Sequence, residues 1–254
     1  MSGSSIFDQL QAEHLALDEV AGGEFPHPER TRVIAVANQK GGVGKTTLAC
    51  NFASWLSREH DKRVVVIDCD PQANATQLSL TDDLWDLIYE DVTKSRKQTL
   101  LHVFKEINDG NSTICKDYKL HDAERFTYSV LAAHPNLATI EDTLSSSWVE
   151  FLGAKPAGAN RTTCTDLNAQ HKFEYAIIDM GPSLGALNRS ILLGCDAFIT
   201  PVEPSLFSQY ALLNIGTWVT NIIEDYDRSR KETLRKNPDL GFIDKLPENL
   251  PLTE

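Results

Sequence analysis

No apolar run in this chain of 254 residues approaches the roughly 18 consecutive residues that a membrane-spanning helix requires. The opening MSGSSIFDQLQAEH lacks the basic region and apolar core of a secretory leader, so the expected compartment is the cytoplasm. The five cysteines, at positions 50, 69, 115, 164 and 195, include no CxxC pair and are odd in number, which disfavours a disulfide framework and a cysteine-held zinc. Seven histidines form no HExxH pair, so any metal is expected to arrive with a ligand. Positive charge is also scarce. Lys and Arg number 24 against 36 Asp and Glu, for a net charge of −12, so the chain has no global attraction for phosphate backbones. A basic patch assembled locally between two copies stays compatible with that balance.

A length of 254 residues with 41% hydrophobic and 24% charged residues suits one large globular α/β domain. Residues 4–20 carry Ile6, Leu10 and Leu17 at helical spacing, and residues 21–30 supply Gly22, Gly23, Pro26 and Pro28. Residues 1–30 therefore read as an appended helix and linker ahead of a domain over 31–254. RVIAVAN from Arg32 is a continuous apolar and β-branched run, as in a parallel strand buried on both faces. A glycine-rich loop follows. Leu48, Ala49, Phe52, Ala53 and Leu56 then recur at helical spacing and predict a helix over 46–59. RVVVID at 63–68 is a second buried strand, which completes a βαβ unit of right-handed crossover with a ligand expected at the strand C-termini.

Further on, LWDLIYEDV, TLLHVFKEI and ATIEDTLSSSWVEFL read as helices, FTYSVLAA as a strand, and GAKPAGANRTTCTD as an exposed loop. YAIIDM and AFITPV are two further strands. From Ser205 a long helix is expected to bury a stripe of Leu212, Ile215, Val219, Ile222 and Tyr226. The predicted fold is α/β: a doubly wound, mostly parallel sheet with helices on both faces.

The loop Lys40, Gly41, Gly42, Val43, Gly44, Lys45, Thr46, Thr47 combines the residue types that phosphate binding needs. Glycines let consecutive N–H groups turn toward a β-phosphate, and the helix starting near Lys45 adds its positive N-terminal end. Lys45 would neutralise β and γ oxygens, and Thr46 would offer a hydroxyl to magnesium. Gln39 stands where the usual GxxxxGK[ST] pattern places its first glycine, so the loop is a deviant Walker A. Asp68 and Asp70 end one strand and Asp179 ends another, so all three carboxylates are expected at the sheet edge that holds the phosphates. Asp70 suits the orientation of an attacking water. Asp68, two residues earlier, points the same way by the period-two rule and suits support of magnesium and its waters.

NQKGGVGKTT, VVVIDCDPQANAT and YAIIDMGPSLG together resemble the three signature segments of the ParA family of partition ATPases, a branch of P-loop proteins that also includes MinD. The resemblance implies that Lys40 reaches across an ATP sandwich dimer to the partner's phosphates and that Asp70 positions the water. It implies that Asp179 is the Walker B carboxylate holding magnesium through water, and that Pro201, Glu203 and Pro204 lie near adenine. It further implies Mg-ATP as the cofactor, weak hydrolysis stimulated by a ParB-like protein, an ATP-dependent homodimer, plasmid or chromosomal DNA as cargo, nucleoid association, and no membrane partner. Two departures stand out. Gly181 replaces the first of two prolines usual after the Walker B strand, which is expected to loosen that segment. The C-terminal segment in which the family keeps much of its basic DNA-binding surface is expected to be missing.

Other readings of the same loop are a small-molecule enzyme like dethiobiotin synthetase or the cobyrinate amidases, a reductase like the nitrogenase iron protein, and a protein that binds ATP without turnover. The first lacks a recognisable substrate-pocket signature, and the second needs two cysteines placed to hold a cluster between subunits.

Overall fold

The computed structural model describes residues 31–89, 98–108, 114–151, 171–183 and 185–236. The helix expected over 4–20, the linker over 21–30, the loop over 153–166 and the end of the chain lie outside the described residues.

The chain alternates strand and helix. Strand β1 (Arg32–Val36) leads through the glycine loop into α1 (Lys45–His60) and then β2 (Val64–Asp68). Short helices follow: α2 (Asn74–Ser79), α3 (Asp82–Tyr89), α4 (Leu100–Val103) and α5 (Lys105–Asn108). Next come β3 (His121–Asp122), β4 (Ser129–Leu131), α6 (Leu137–Phe151), β5 (Tyr175–Asp179), α7 (Ala186–Gly194), β6 (Ala197–Ile199) and α8 (Leu206–Lys236). The strands form one six-stranded sheet in the order β3-β4-β2-β5-β1-β6. All neighbours pair parallel except β3, which runs antiparallel to β4.

Side chains alternate across a strand, and that alternation divides the core in two. Val33, Ala35, Val65, Ile67, Ala176 and Ile178 face one layer, where they meet Leu137, Ile140 and Leu144 of α6 and Leu187 and Ile191 of α7. Val36, Val64, Val66 and Ile177 face the other, against Ala49, Ala53 and Leu56 of α1 and Ile88 of α3. Both faces of the sheet are covered, which is why these strands read as unbroken apolar runs.

Connection α1 carries the chain from β1 past β5 to β2 on one face, while α7 leads from β5 to β6 on β1's other side and packs on the opposite face. The direction of winding reverses around β1, and such a reversal opens a crevice at the strand C-termini. The glycine loop lies there.

Helix α8 departs from its expected stripe. Ile215, Ile222 and Tyr226 are buried and Val219 is half-buried, but Leu212 is 43% exposed. Among the described residues no helix is long and apolar enough to cross a membrane.

Candidate functional site

Gly42 and Gly44 hold φ of 76° and 82°, a left-handed backbone that side-chain-bearing residues avoid. Gly44 is also the N-cap of α1 and supplies no side-chain cap. The first N–H groups of a 16-residue helix are thus left facing the loop, with the positive end of the helix behind them. The helix begins at Lys45, as the loop chemistry requires.

Lys45 is 9% exposed and reaches back so that its Nζ donates to the Lys40 carbonyl at 3.2 Å. Burial lowers its pKa, opposed by the charges of Asp179 and Asp70. That opposition places one ammonium and two carboxylates in the same neighbourhood. Thr46 Oγ1 donates to Asp179 Oδ2 at 2.7 Å. Asp179 Oδ1 is buried with no hydrogen-bond partner, an arrangement that costs free energy unless something occupies it. Burial, with the charge of Asp70 adding to it, pushes the Asp179 carboxyl up to about 6 against the Thr46 bond and Lys45.

Asp68 and Asp179 are register partners across β2 and β5, yet their surroundings differ. Asp68 is fully buried. Its Oδ2 accepts bonds from the Thr76 N–H and Thr76 Oγ1, both at 2.7 Å, and its Oδ1 accepts the Asp70 N–H at 3.1 Å. Burial and the neighbouring Asp179 charge raise its pKa to about 7. Both oxygens are committed to the turn that follows β2, so the two aspartates do not present alike. Asp70 lies beyond the strand end, 8% exposed, with Oδ1 accepting the Gln72 N–H at 3.0 Å.

Lys40 is exposed, and its Nζ pairs with Glu203 Oε1 of the same chain. That contact, with a Ser205 bond, holds the Glu203 carboxyl below its ordinary range. Pro201 and Pro204 follow β6 at the same edge. The Pro201 carbonyl accepts the Asn38 Nδ2 at 2.7 Å, and Asn38 Oδ1 accepts the Lys40 N–H at 2.8 Å. The segment expected near adenine is therefore tied to the phosphate loop through Asn38, a residue that sequence reasoning passed over. Its signal was position alone, as one of two amides, with Gln39, between strand and loop. Gly41, Val43 and Thr47 complete the loop at its surface, where Gly41 and Thr47 are exposed and Val43 half-buried.

The family model for the AAA domain matches residues 31–234. The chromosome partitioning protein ParA of Caulobacter vibrioides is 29% identical over 248 residues, covering 88% of this chain and 83% of that protein. The chain belongs to the ParA family of P-loop ATPases. An uncharacterized protein of Pseudomonas putida is 30% identical and covers 82% of the chain, which spans 66% of that relative's length. Among solved structures, protein DIP2308 from Corynebacterium diphtheriae is 35% identical with a TM-score of 0.77, covering 84% of this chain and 74% of that one. Cobyrinic acid a,c-diamide synthase from Mycobacterium smegmatis, solved with ADP and magnesium, is 24% identical with a TM-score of 0.52, covering 76% and 69%, and shares the fold alone. This ParA-family membership agrees with the signature segments read from the sequence.

Magnesium is the metal that such a fold implies. The donor set fits it: a threonine hydroxyl beside a carboxylate whose second oxygen is buried and unpartnered offers hard oxygen ligands. Among the described residues no group of three or more His, Cys, Asp and Glu gathers that could hold an ion.

Proposed function

We propose that this chain binds Mg-ATP on the loop from Lys40 to Thr47 and hydrolyses it slowly as a switch that dimerises with ATP, positions a cargo such as plasmid or chromosomal DNA, and resets when a ParB-like partner stimulates turnover. The observation that carries this reading is the meeting of Lys45, Thr46, Asp70 and Asp179 at one end of the sheet, ahead of an uncapped helix. Lys45 would meet the β and γ oxygens. Thr46 and Asp179 would hold magnesium together with phosphate oxygens and water, and the metal would neutralise phosphate charge. Asp70 would accept a hydrogen bond from the attacking water, and Asp68, expected to support magnesium but with both oxygens already bonded to Thr76 and the Asp70 N–H, would instead set the turn on which Asp70 sits. Lys40, exposed and paired only at the surface, is free to serve a neighbour's phosphates. Pro201, Glu203 and Pro204 would flank the adenine.

A small-molecule reaction on the same loop has only fold-level likeness behind it. The net charge of −12 makes DNA attachment dependent on an assembled patch and not on overall attraction.

Lys45→Ala tests the site. It removes the buried cation of the loop, and ATP affinity by calorimetry is expected to fall at least about tenfold, the loss of one charge-assisted contact. A variant that binds as tightly as the parent would refute the site.

A further inference from the structure

We infer that Glu141, on α6, is a positioning residue for Asp70: it braces the turn between β5 and α7 that lies against the Asp70 carboxylate. The inference rests on the reading of Asp70 as the group that orients the attacking water. Glu141 is 45 and 46 residues from its two partners in sequence. Its Oε1 accepts the Ala186 N–H in a short bond, and its Oε2 accepts the Leu187 N–H at 3.1 Å. These are first-turn donors of α7, whose N-cap, Gly185, has no side chain to satisfy them. A carboxylate spanning two N–H groups at a helix start is a strong, charge-assisted cap.

Gly185 carries the second observation. Its backbone is extended, φ −71° and ψ 179°, so conformational freedom does not call for glycine there. Space does. A Cβ at Gly185 would fall on the Glu141 carboxylate, so a side chain there would push that carboxylate off the two N–H groups.

From the helix the brace continues back toward the reacting centre. Asn188, in the first turn of α7 and 2% exposed, donates its Nδ2 to the Gly181 carbonyl at 3.0 Å and the Ser183 carbonyl at 2.8 Å. Gly181 then borders Asp70: a Cβ there would meet both Cγ and Oδ1 of that carboxylate at 3.4 Å, an ordinary contact distance. Glu141 fixes the first turn of α7, Asn188 ties that turn to Gly181, and Gly181 neighbours Asp70. A water held in line by Asp70 depends on where that carboxylate is held, and misplacement of about 1 Å can cost on the order of a hundredfold in rate.

The test measures ATP affinity by calorimetry and single-turnover phosphate release for Glu141→Ala and Glu141→Gln. ATP affinity is expected to stay within about threefold in both, because the loop is untouched. Release is expected to fall at least tenfold in Glu141→Ala and by less in Glu141→Gln, whose carbonyl keeps one of the two bonds while its NH2 faces the other N–H. Unchanged release in Glu141→Ala, or parallel loss of affinity and release in both variants, overturns the inference. Should the parent chain neither bind nor turn over ATP, the proposed function fails and the role assigned to Asp70 goes with it. The brace itself is then decided by unfolding midpoints. Gly185→Ala should lower the midpoint of the parent, whose cap it displaces, more than that of the Glu141→Ala background, and an equal loss in both backgrounds overturns it.

Discussion

Lys40 and Glu203 meet within one chain while both are about half exposed, and an ion pair in that setting contributes little. Lys40 can therefore leave Glu203 whenever a stronger anion is offered, and a triphosphate from a second copy is such an anion. Lys40→Ala is expected to keep ATP affinity within about threefold of the parent, since the cation inside the loop is Lys45, and to lose the ATP-dependent dimer. Light scattering decides this, and a dimer that forms unchanged removes the trans role. Asp70 differs because it is held: burial and the Gln72 N–H fix its carboxylate. Asp70→Ala is expected to lower phosphate release by roughly 10²- to 10⁴-fold, the range of a positioned proton acceptor, with the ATP-bound dimer still forming. Full turnover in that variant would end its assignment. Gly181, where the family usually has proline, was expected to loosen its segment; the bonds from Asn188 Nδ2 tie it down instead.

Helix α2 has six residues, too few to persist alone, and Asp68 is what holds it. The carboxylate accepts the N–H and hydroxyl of Thr76, and the same hydroxyl accepts the Ala133 N–H at 2.9 Å beyond the end of β4. One side chain thus joins β2, α2 and β4. Thr76→Val keeps the volume, takes one of the two bonds from Asp68 Oδ2 and strands the buried Ala133 amide, so it is expected to cost roughly 1–3 kcal/mol in urea unfolding, the range for one unsatisfied buried group. A loss below about 0.5 kcal/mol would show that Asp68 is satisfied some other way. This joint also marks where the sequence stopped being legible. Strands β1, β2 and β5 and helix α1 could be read because each is a run of one period. The loop residues could be read because they are neighbours in the chain. Asn38, Thr76, Glu141 and Asn188 act through bonds to other elements, with Asn38 reaching across 163 residues, and no local pattern announces such a pairing. Helix α7 went unread because eight of its nine residues are buried, which erases the polar stripe that marks a surface helix. FTYSVLAA looked like a long strand, but only Ser129–Leu131 pairs as one, beside a two-residue edge strand. TLLHVFKEI looked like one helix and breaks at Phe104, which is 2% exposed and packs into the core.

Across the whole molecule, apolar burial on both sheet faces supports an edge where like charges are crowded. Asp68 and Asp179 face each other across two strands with pKa values raised to about 7 and about 6, chiefly by burial, from an ordinary 3.8. The sign follows from proton linkage. A carboxyl whose folded pKa lies above its unfolded one binds protons more tightly when folded, so its contribution is intact below about pH 4 and is lost as pH rises through the folded value. For these two groups the loss runs from about pH 4 to about pH 7. His121 and His134, whose pKa values burial lowers, work in the other direction, with stability present above their ordinary 6.5 and lost as pH falls. Asp179→Asn separates the two effects. It keeps an acceptor for Thr46 and removes one buried charge, so the ligand-free variant is expected to exceed the parent in urea unfolding by roughly 1–3 kcal/mol at pH 8, at 1.36 kcal/mol for each unit between the two pKa values. The gain should shrink by pH 6 and vanish by pH 4, where the parent carboxyl carries its proton in both states. The same variant is expected to lose magnesium-dependent ATP binding, because the unpartnered oxygen becomes an amide. Stability and ligand binding would then move in opposite directions from one substitution, as they do where a site is kept strained for its ligand. A variant no more stable than the parent at pH 8 would mean that the charge of Asp179 carries no folding cost, and the orphan oxygen would lose its standing as a place kept for a cation.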